Sequence, residues 1–221
     1  MKVVTRRLAH RGDWRRGPEN SLAAFRAALA IPACDGLEFD VRLSVDGVPV
    51  VVHDATLARV HSRRESIDAM RAEALVDLGV PTLDDVLRSV GRRPFLDVEL
   101  KVDTGAVGVE VLAAARGPGL HNAVISSFDR RALEGVMHRA PTWPRWLNAI
   151  DLDDGTLSAA VALGCRGVSI DWHAVDAASM ARAEAAGLEV AAWTVRRRST
   201  FDRLARLGVV AVCVEGASLD S

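Results

Sequence analysis

Residues 123–139 read AVISSFDRRALEGVMHR, a β-rich run followed directly by a helical run. Residues 123–127 favour a strand, and the apolar residues of 129–139 follow the spacing of a helix. A strand that leads straight into a helix is the repeating unit of parallel sheets covered by helices. This stretch therefore predicts an α/β protein.

The same alternation extends over almost the whole chain. Strands are predicted at residues 3–9, 36–41, 94–100, 123–127, 145–149, 167–170, 189–194 and 210–214. Helices are predicted between them at residues 21–30, 82–90, 105–116, 129–139, 155–163, 176–186 and 199–207. Eight such strands predict a compact (β/α)8 TIM barrel that forms a single domain over residues 1–221. Only residues 216–221 follow the last predicted strand, so we expect little or no eighth helix.

The composition is that of an ordinary globular protein, with 221 residues, 49% hydrophobic and 26% charged, and a formal net charge of -1. This charge gives no support to a nucleic-acid or membrane-surface role. The basic residues are almost all arginine, and Lys2 and Lys101 are the only lysines, which makes each of them a candidate for a specific role.

The cysteines and the apolar runs give no sign of a secreted or membrane protein. Cys34, Cys165 and Cys213 are far apart and follow no CxxC spacing, which argues against a disulfide framework or a zinc site. No stretch approaches about eighteen uninterrupted apolar residues, and no signal-peptide pattern opens the chain. We expect a cytoplasmic protein without a membrane span; the sequence says nothing of its oligomeric state.

One segment departs from the alternation. Residues 49–53, PVVVH, favour a strand, but they follow Val41 too closely for a helical crossover. Asp46-Gly47 is a strong signal for a two-residue hairpin, so we expect an extra antiparallel strand after the second strand. In that register His53 lies directly across from Asp40, with Cβ atoms roughly 5 Å apart. A loop of three or four residues would break the register.

Polar residues collect where the first three strands of the barrel are predicted to end, which is the active-site rim of such barrels. Within a strand, residues two apart point to the same face, so the carboxylates of each strand are expected side by side. The residues predicted to converge are His10, Arg11, Glu38, Asp40, Asp97, Glu99 and Lys101, with His53 added by the hairpin.

Each of these residues also has an ordinary structural explanation, but the group as a whole indicates chemistry. Carboxylates packed together repel one another unless a cation or a proton neutralises them. All-oxygen ligands suit a hard divalent cation, Mg2+ or Ca2+, better than zinc. Two histidines beside such a metal suit phosphoryl transfer, in which one ring accepts a proton and the other donates one. The segment of residues 17–21, GPENS, opens the first helix either as an anion site or as a plain N-cap.

With these residues in view, the chain resembles the glycerophosphodiester phosphodiesterase family. The resemblance runs in family order from residue 9 to residue 195 and is most specific in the first fifty-odd residues. It rests on Ala9-His10-Arg11-Gly12, Pro18-Glu19-Asn20-Ser21 with Ala24-Phe25, Gly36-Leu37-Glu38-Phe39-Asp40-Val41, Asp46-Gly47-Val48-Pro49-Val50 with His53-Asp54, Pro81-Thr82-Leu83, Glu99-Leu100-Lys101, Ser126-Ser127-Phe128 and Trp193-Thr194-Val195.

The resemblance implies metal-dependent hydrolysis of a small glycerophosphodiester to glycerol 3-phosphate and an alcohol on a (β/α)8 barrel. It implies that His10 and His53 are the acid/base pair and that Glu38, Asp40 and Glu99 hold one divalent cation. It further implies that Arg11 and Lys101 contact the phosphate, and that Trp193 and Phe128 line the substrate pocket. An alternative for Trp193 is a rim residue that simply fills the barrel mouth.

This sequence departs from the family pattern in three places. The small subdomain that usually follows His53-Asp54 is reduced to residues 55–80, which predicts a more open pocket. Glu215 stands where the last strand usually ends in Thr-Asp, so its role is open. The run Arg196-Arg197-Arg198 could attract an anionic headgroup, although a solvated charge run is the favoured interpretation.

The same residues leave three alternatives open. The substrate could be a lysophospholipid, as in a lysophospholipase D. Lys101 could form a Schiff base with a carbonyl substrate, but the neighbouring carboxylates would keep it charged. The barrel could also bind phosphate ligands without turnover. The reduced subdomain of residues 55–80 and Glu215 favour this alternative, whereas the retained histidines and carboxylates argue against it.

Overall fold

The computed structural model describes residues 4–220, and in it eight parallel strands close into a barrel. Its strands are β1 (Arg6–His10), β2 (Gly36–Leu43), β4 (Phe95–Leu100), β5 (Ala123–Ser127), β6 (Arg145–Ala149), β7 (Gly167–Asp171), β8 (Glu189–Val195) and β9 (Ala211–Val214). Closure comes from β1, which pairs with both β2 and β9. The predicted (β/α)8 barrel is therefore confirmed, while Val3 of the first predicted strand, and Lys2, lie outside the described residues.

Nine α-helices are present in the described part of the chain. They are α1 (Leu22–Leu29), α2 (Ala58–His61), α3 (Ala72–Asp77), α4 (Leu83–Val90), α5 (Gly105–Arg116), α6 (Arg130–Arg139), α7 (Asp154–Ala162), α8 (Ala177–Ala185) and α9 (Arg198–Leu207). All seven predicted helices are found within one or two residues of their expected ends. Ser21 caps α1 by accepting a hydrogen bond from the Ala24 amide, and Thr82 forms a capping box with Asp85 on α4.

Between β9 and residue 220 the chain forms a 3-10 turn, Gly216–Ser218, in place of the helix that would follow the eighth strand of the barrel. This agrees with the prediction of little or no eighth helix. In the described residues no helix combines the length and the apolar character needed to cross a membrane.

The extra strand β3 (Pro49–Val51) pairs antiparallel with β2 outside the barrel, as predicted, but the predicted register is wrong by one residue. Arg42 pairs with Val50, so Asp40 lies across from Val52, whose amide donates to the Asp40 carbonyl at 2.9 Å. The cause is a loop of three residues, 45–47, closed by the Ser44–Val48 backbone pair and by Gly47 at a φ of +74°. His53 thus follows the strand in a loop.

Residues 55–80 fold against β3 as a small unit that contains α2 and α3. It has its own apolar cluster, made of Val50, Val52, Leu57, Ile67, Ala72, Leu75 and Val80. This cluster anchors the loop that carries His53 to the side of the barrel.

Strand alternation separates an apolar exterior from a mixed interior. In β2, Leu37, Phe39 and Val41 belong to the large core between strands and helices, whereas Glu38 and Asp40 point into the barrel. The lower interior is filled by Leu8, Val124, Trp146, Ala191, Ala211 and Cys213. The upper interior, at the carboxyl ends of the strands, is polar and holds the site.

Candidate active site

A cavity of about 260 Å³ opens at the carboxyl ends of the barrel strands. Its lining includes nine of the ten candidate site residues named from the sequence, and the tenth, Asp40, lies in contact with Arg11 and Lys101 at 0% exposure. The lining residues are His10, Arg11, Glu38, His53, Asp97, Glu99, Lys101, Phe128, Asn148, Ser169, Trp193, Thr194 and Cys213.

Three buried carboxylates form an acidic cluster in this cavity. Glu38, Asp40 and Glu99 each bring one oxygen to within 4.8 Å of the others. Burial and the neighbouring negative charges raise the pKa of Glu38 well above its usual range, and they also raise the pKa of Glu99. The Oε1 atom of Glu38 is buried and has no hydrogen-bond partner within the described part of the chain. This donor set can hold a hard divalent cation.

Asp40 is the anionic centre of the cluster because two cations hold it. Lys101 Nζ lies 2.9 Å from Oδ1, and Arg11 Nε lies 3.1 Å from Oδ2. Burial alone would raise the pKa of Asp40, but these two positive charges lower it to about 2. Asn20 also donates to Oδ2 at 2.8 Å.

Lys101 contacts Glu99 as well as Asp40, and these two carboxylates outweigh burial to raise its pKa. A lysine held as an ammonium ion is a poor nucleophile. The Schiff-base alternative therefore loses its chemical basis. The same charge suits binding of a phosphate group.

His10 ends β1 and is held from behind by a carboxylate. Its Nδ1 lies 2.5 Å from Glu215 Oε1, and its Nε2 lies 3.8 Å from Glu38 Oε2. The other Glu215 oxygen accepts a hydrogen bond from Arg196 Nε at 2.8 Å. Burial alone would raise the pKa of Glu215, but the bonds from His10 and Arg196 lower it to about 2.

His53, in the loop that follows β3, has a similar chain of partners. Its Nδ1 lies 2.6 Å from Asp54 Oδ1, and Arg59 Nε donates to Asp54 Oδ2 at 2.7 Å. Arg59 also donates twice to Glu19, at 2.6 and 2.7 Å, and Glu19 accepts from Arg11 at 3.0 Å. Burial lowers the pKa of His53, against the opposing influence of Asp40 and Asp54.

Two aromatic side chains form one wall of the cavity mouth. The rings of Phe128 and Trp193 meet edge to face, with centroids 5.5 Å apart. Trp193 Nε1 donates to the Ser169 carbonyl at 3.0 Å, which fixes the indole, whereas Phe128 is 48% exposed.

Residues 17–21 brace the site rather than present free groups to it. Ser21 is the N-cap of α1, Asn20 bonds Asp40, and Glu19 bonds Arg11 and Arg59. Of the arginine run, Arg196 bonds Glu215 and Arg198 lies 3.8 Å from Asp202 within α9.

Sequence reasoning missed several residues of the site. Arg59 carries no signal of its own, because its partners Asp54 and Glu19 are 5 and 40 residues away in the chain. Strand alternation could have placed the inward-facing Asn148 and Ser169, which pair side by side on β6 and β7. Asp97 was predicted on the correct face, and burial, with Glu99 and Asp40 nearby, raises its pKa to about 7.

Comparison with known proteins identifies a family that the chain matches. Residues 10–217 match the model of the glycerophosphoryl diester phosphodiesterase family. A glycerophosphodiester phosphodiesterase of Caldanaerobacter subterraneus subsp. tengcongensis is 33% identical over 160 residues, which are 64% of this chain and 64% of that protein. The alignment thus spans just under two thirds of the relative's length.

Solved structures share the fold over nearly the whole chain. An Oleispira antarctica phosphodiesterase in complex with the product sn-glycerol-3-phosphate is 27% identical, with a TM-score of 0.85 over 96% of this chain and 93% of that one. A glycerophosphodiester phosphodiesterase from Agrobacterium tumefaciens is 25% identical, with a TM-score of 0.80 over 98% of both chains.

Proposed function

The chain belongs to the glycerophosphoryl diester phosphodiesterase family, and from this premise we propose that it hydrolyses glycerophosphodiesters to glycerol 3-phosphate and an alcohol. The arrangement that supports this activity above all is the cavity in which two histidines, a buried acidic cluster and two cationic side chains meet. The product-bound Oleispira structure supports the same substrate class.

We propose that Glu38, Asp40 and Glu99 hold one divalent cation, Mg2+ or Ca2+. The fit rests on the oxygen-only donor set, on the raised pKa values of Glu38 and Glu99, and on the unpartnered Glu38 Oε1. When bound, the cation would neutralise these carboxylates and act as a Lewis acid toward the phosphate oxygens.

Lys101 and Arg11 bind the phosphate group of the substrate in this proposal. Both side chains line the cavity, and both remain charged beside Asp40. As negative charge grows on the phosphate oxygens in the transition state, these fixed cations stabilise it without having to reorganise.

His53 accepts a proton from the nucleophile, and His10 donates one to the leaving alcohol. The lowered pKa of His53 keeps its ring neutral near pH 7, and Asp54 occupies Nδ1, so Nε2 is the basic atom. His10 presents its own Nε2 to the acidic cluster, 3.8 Å from Glu38 Oε2. The nucleophile is either a water molecule or the neighbouring glycerol hydroxyl.

A lysophospholipase D activity is a second candidate, favoured by one observation. Phe128 exposes nearly half of its surface at the cavity mouth beside Trp193, which would suit an acyl chain. Lysophosphatidylcholine therefore belongs in the same assay.

The test is release of glycerol 3-phosphate from glycerophosphocholine and glycerophosphoethanolamine by the purified protein. The reaction is run with EDTA and then with Mg2+ or Ca2+ restored. We expect metal-dependent release that is lost in His10→Ala. No release from any of these diesters with either metal would contradict the proposed function.

A further inference from the structure

Glu215 lies directly behind His10, outside the cavity lining, and both of its oxygens are occupied. It is only 8% exposed; Oε1 contacts His10 Nδ1 at 2.5 Å, and Oε2 accepts from Arg196 Nε at 2.8 Å. A buried carboxylate with both oxygens bonded has one defined orientation. The histidine that it contacts is therefore oriented as well.

The ends of β8 and β9 bring these partners together. The pairing of the two strands shifts by one residue between Ala192 and Val195, as in a β-bulge. Beyond the shift, the Glu215 amide donates to the Val195 carbonyl at 2.9 Å, so Arg196 follows beside Glu215. The Arg196 side chain is 77% exposed and covers the outer side of the carboxylate.

We propose that Glu215 is the positioning residue of His10, and that Arg196 in turn holds Glu215. In the neutral ring the Glu215 contact keeps the proton on Nδ1 and leaves Nε2 free to take up a second proton. In the protonated ring the same contact holds Nδ1–H, so that Nε2–H, which carries the proton for the leaving group, is directed toward the acidic cluster and the substrate. This inference rests on the proposed function, in which His10 transfers the proton to the leaving group. It gives a role to Glu215, which follows β9 at the position where the family usually has Thr-Asp.

The side-chain length of Glu215 is part of the assignment. A glutamate reaches one methylene farther than an aspartate, and here that reach spans from the end of β9 to both His10 and Arg196. If Glu215 served only as a structural ion-pair partner of Arg196, its substitution would leave the ring of His10 unaffected.

The most direct test is the tautomer of His10, measured by 15N NMR on protein labelled at histidine. The six histidines are distinguished by the signal that disappears in His10→Gln. Metal-free protein is used, at a pH where the ring is neutral. We expect the proton on Nδ1 in the wild type and a shift of the population toward Nε2 in Glu215→Gln, because an amide can turn its NH2 group toward the ring. An unchanged tautomer in Glu215→Gln would overturn the proposal.

Steady-state kinetics provide a second readout. Glu215→Gln should lower kcat by about 100-fold while KM changes by less than about threefold, because the defect lies in proton transfer rather than in binding. Glu215→Asp restores the charge but not the reach, and should recover only part of the loss. Equal losses in kcat and substrate affinity would indicate a general structural defect and overturn the assignment.

Arg196→Ala keeps the test valid if the Glu215 variants fold poorly, since Arg196 is largely exposed. We expect a kcat reduction of about three- to tenfold, smaller than for Glu215 because an exposed ion pair is screened by solvent. Arg197→Ala is the matched control, because Arg197 adjoins Arg196 and shows no side-chain ion pair or hydrogen bond in the described residues. Equal effects of the two substitutions would exclude a specific role for Arg196.

These readouts separate the positioning role from the proposed function. The tautomer is measured without substrate, so it reports on Glu215 even if the wild type hydrolyses none of the diesters. Hydrolysis by the wild type together with an unaltered Glu215→Gln enzyme would refute the positioning role and leave the function standing.

Discussion

The two histidines of the cavity have the same kind of partners but are supported by different parts of the molecule. His10 is held by Glu215 and Arg196 at the ends of three adjoining barrel strands, and Glu215 is 8% exposed. His53 is held by Asp54 and Arg59 in residues 52–80, the excursion that follows β3, where the side chains of Asp54 and Arg59 are 26% and 49% exposed.

The same arrangement, a histidine bound by a carboxylate that is itself bound by an arginine, is therefore built here with two degrees of rigidity. The barrel strands fix His10 through the main hydrogen-bonded frame of the protein. The His53 side depends on a small satellite cluster and on surface ion pairs, which salt and water weaken. We expect the excursion side to be more sensitive to ionic strength, and Glu215 to be more sensitive to substitution than Asp54, because Glu215 is the more buried of the two carboxylates.

The largest expected effect is the loss of either histidine. His10→Ala and His53→Ala should each lower kcat by about 100-fold or more, because each removes one proton-transfer group. The double variant should lose little beyond the worse single variant if the two rings act as a unit. Circular dichroism checks folding, and wild-type turnover in both single variants would show that the site is elsewhere.

Removal of a carboxylate between the two sides should weaken metal binding. Glu99→Ala is expected to reduce the affinity for Mg2+ or Ca2+ by roughly ten- to 100-fold, measured by calorimetry, because it deletes one oxygen donor of the cluster. Asp84→Ala, on the exposed face of α4, is the control. Unchanged affinity in Glu99→Ala would remove this residue from the ligand set.

Arg59→Ala tests the support of His53 on the excursion side, because Arg59 bonds both Asp54 and Glu19. Arg59→Ala should lower kcat about five- to tenfold, since it frees Asp54 and Glu19 while leaving His53 in place. The loss should shrink at high salt, where the ion pair already contributes little in the wild type. Arg63→Ala removes an exposed arginine of the same excursion, whose one ion-pair partner among residues 4–220 is Glu65, and its kinetics should stay at the wild-type level. A larger loss in Arg63→Ala would contradict the comparison.

The smallest expected effect concerns acid stability. The pKa of Glu215 falls from an ordinary value of 4.5 to about 2 on folding, so its contribution is full above about pH 5 and is lost as the pH falls toward 2. Glu215→Gln should therefore cost up to about 3 kcal/mol of unfolding free energy at neutral pH, and the cost should vanish near pH 2. Urea titrations across this range measure it.

Asp54→Asn provides the other half of this comparison. Burial alone would raise the pKa of Asp54, but Arg59 and His53 lower it, so the sign of its effect is the same. Because the Asp54 side chain is 26% exposed and that of Glu215 is 9% exposed, we expect Asp54→Asn to cost less unfolding free energy than Glu215→Gln. Asp77→Asn, an exposed position without an ion pair among the described residues, sets the baseline. An Asp54 effect larger than that of Glu215 would reverse the assignment of rigid and loose sides.

The sequence predicted the barrel well because each strand and helix carries its own local signal. β-rich runs, helix caps such as Ser21 and Thr82, and two-residue alternation in β2 and β4 all agree with one architecture. The convergence of the predicted histidines and carboxylates on one cavity follows from that alternation and from the shared direction of the strands.

What could not be predicted depends on loops and on long-range pairing. Asp46-Gly47 fits both a two-residue turn and a three-residue loop with Gly47 in the left-handed region, so the sequence did not decide the hairpin register. Glu215 meets His10 across 205 residues of chain, and Arg59 meets Glu19 across 40. Contacts of this kind leave no periodic pattern in a single sequence.

The most direct measurement of the central claim compares two leaving groups on the same glycerol phosphodiester. Choline is a poor leaving group that needs a proton, whereas 4-nitrophenolate leaves without one. We predict that His10→Ala loses activity on the choline diester but recovers most of it on the nitrophenyl diester, while His53→Ala stays impaired on both. Equal recovery of the two variants, or recovery of His53→Ala alone, would contradict the division of acid and base between the two sides.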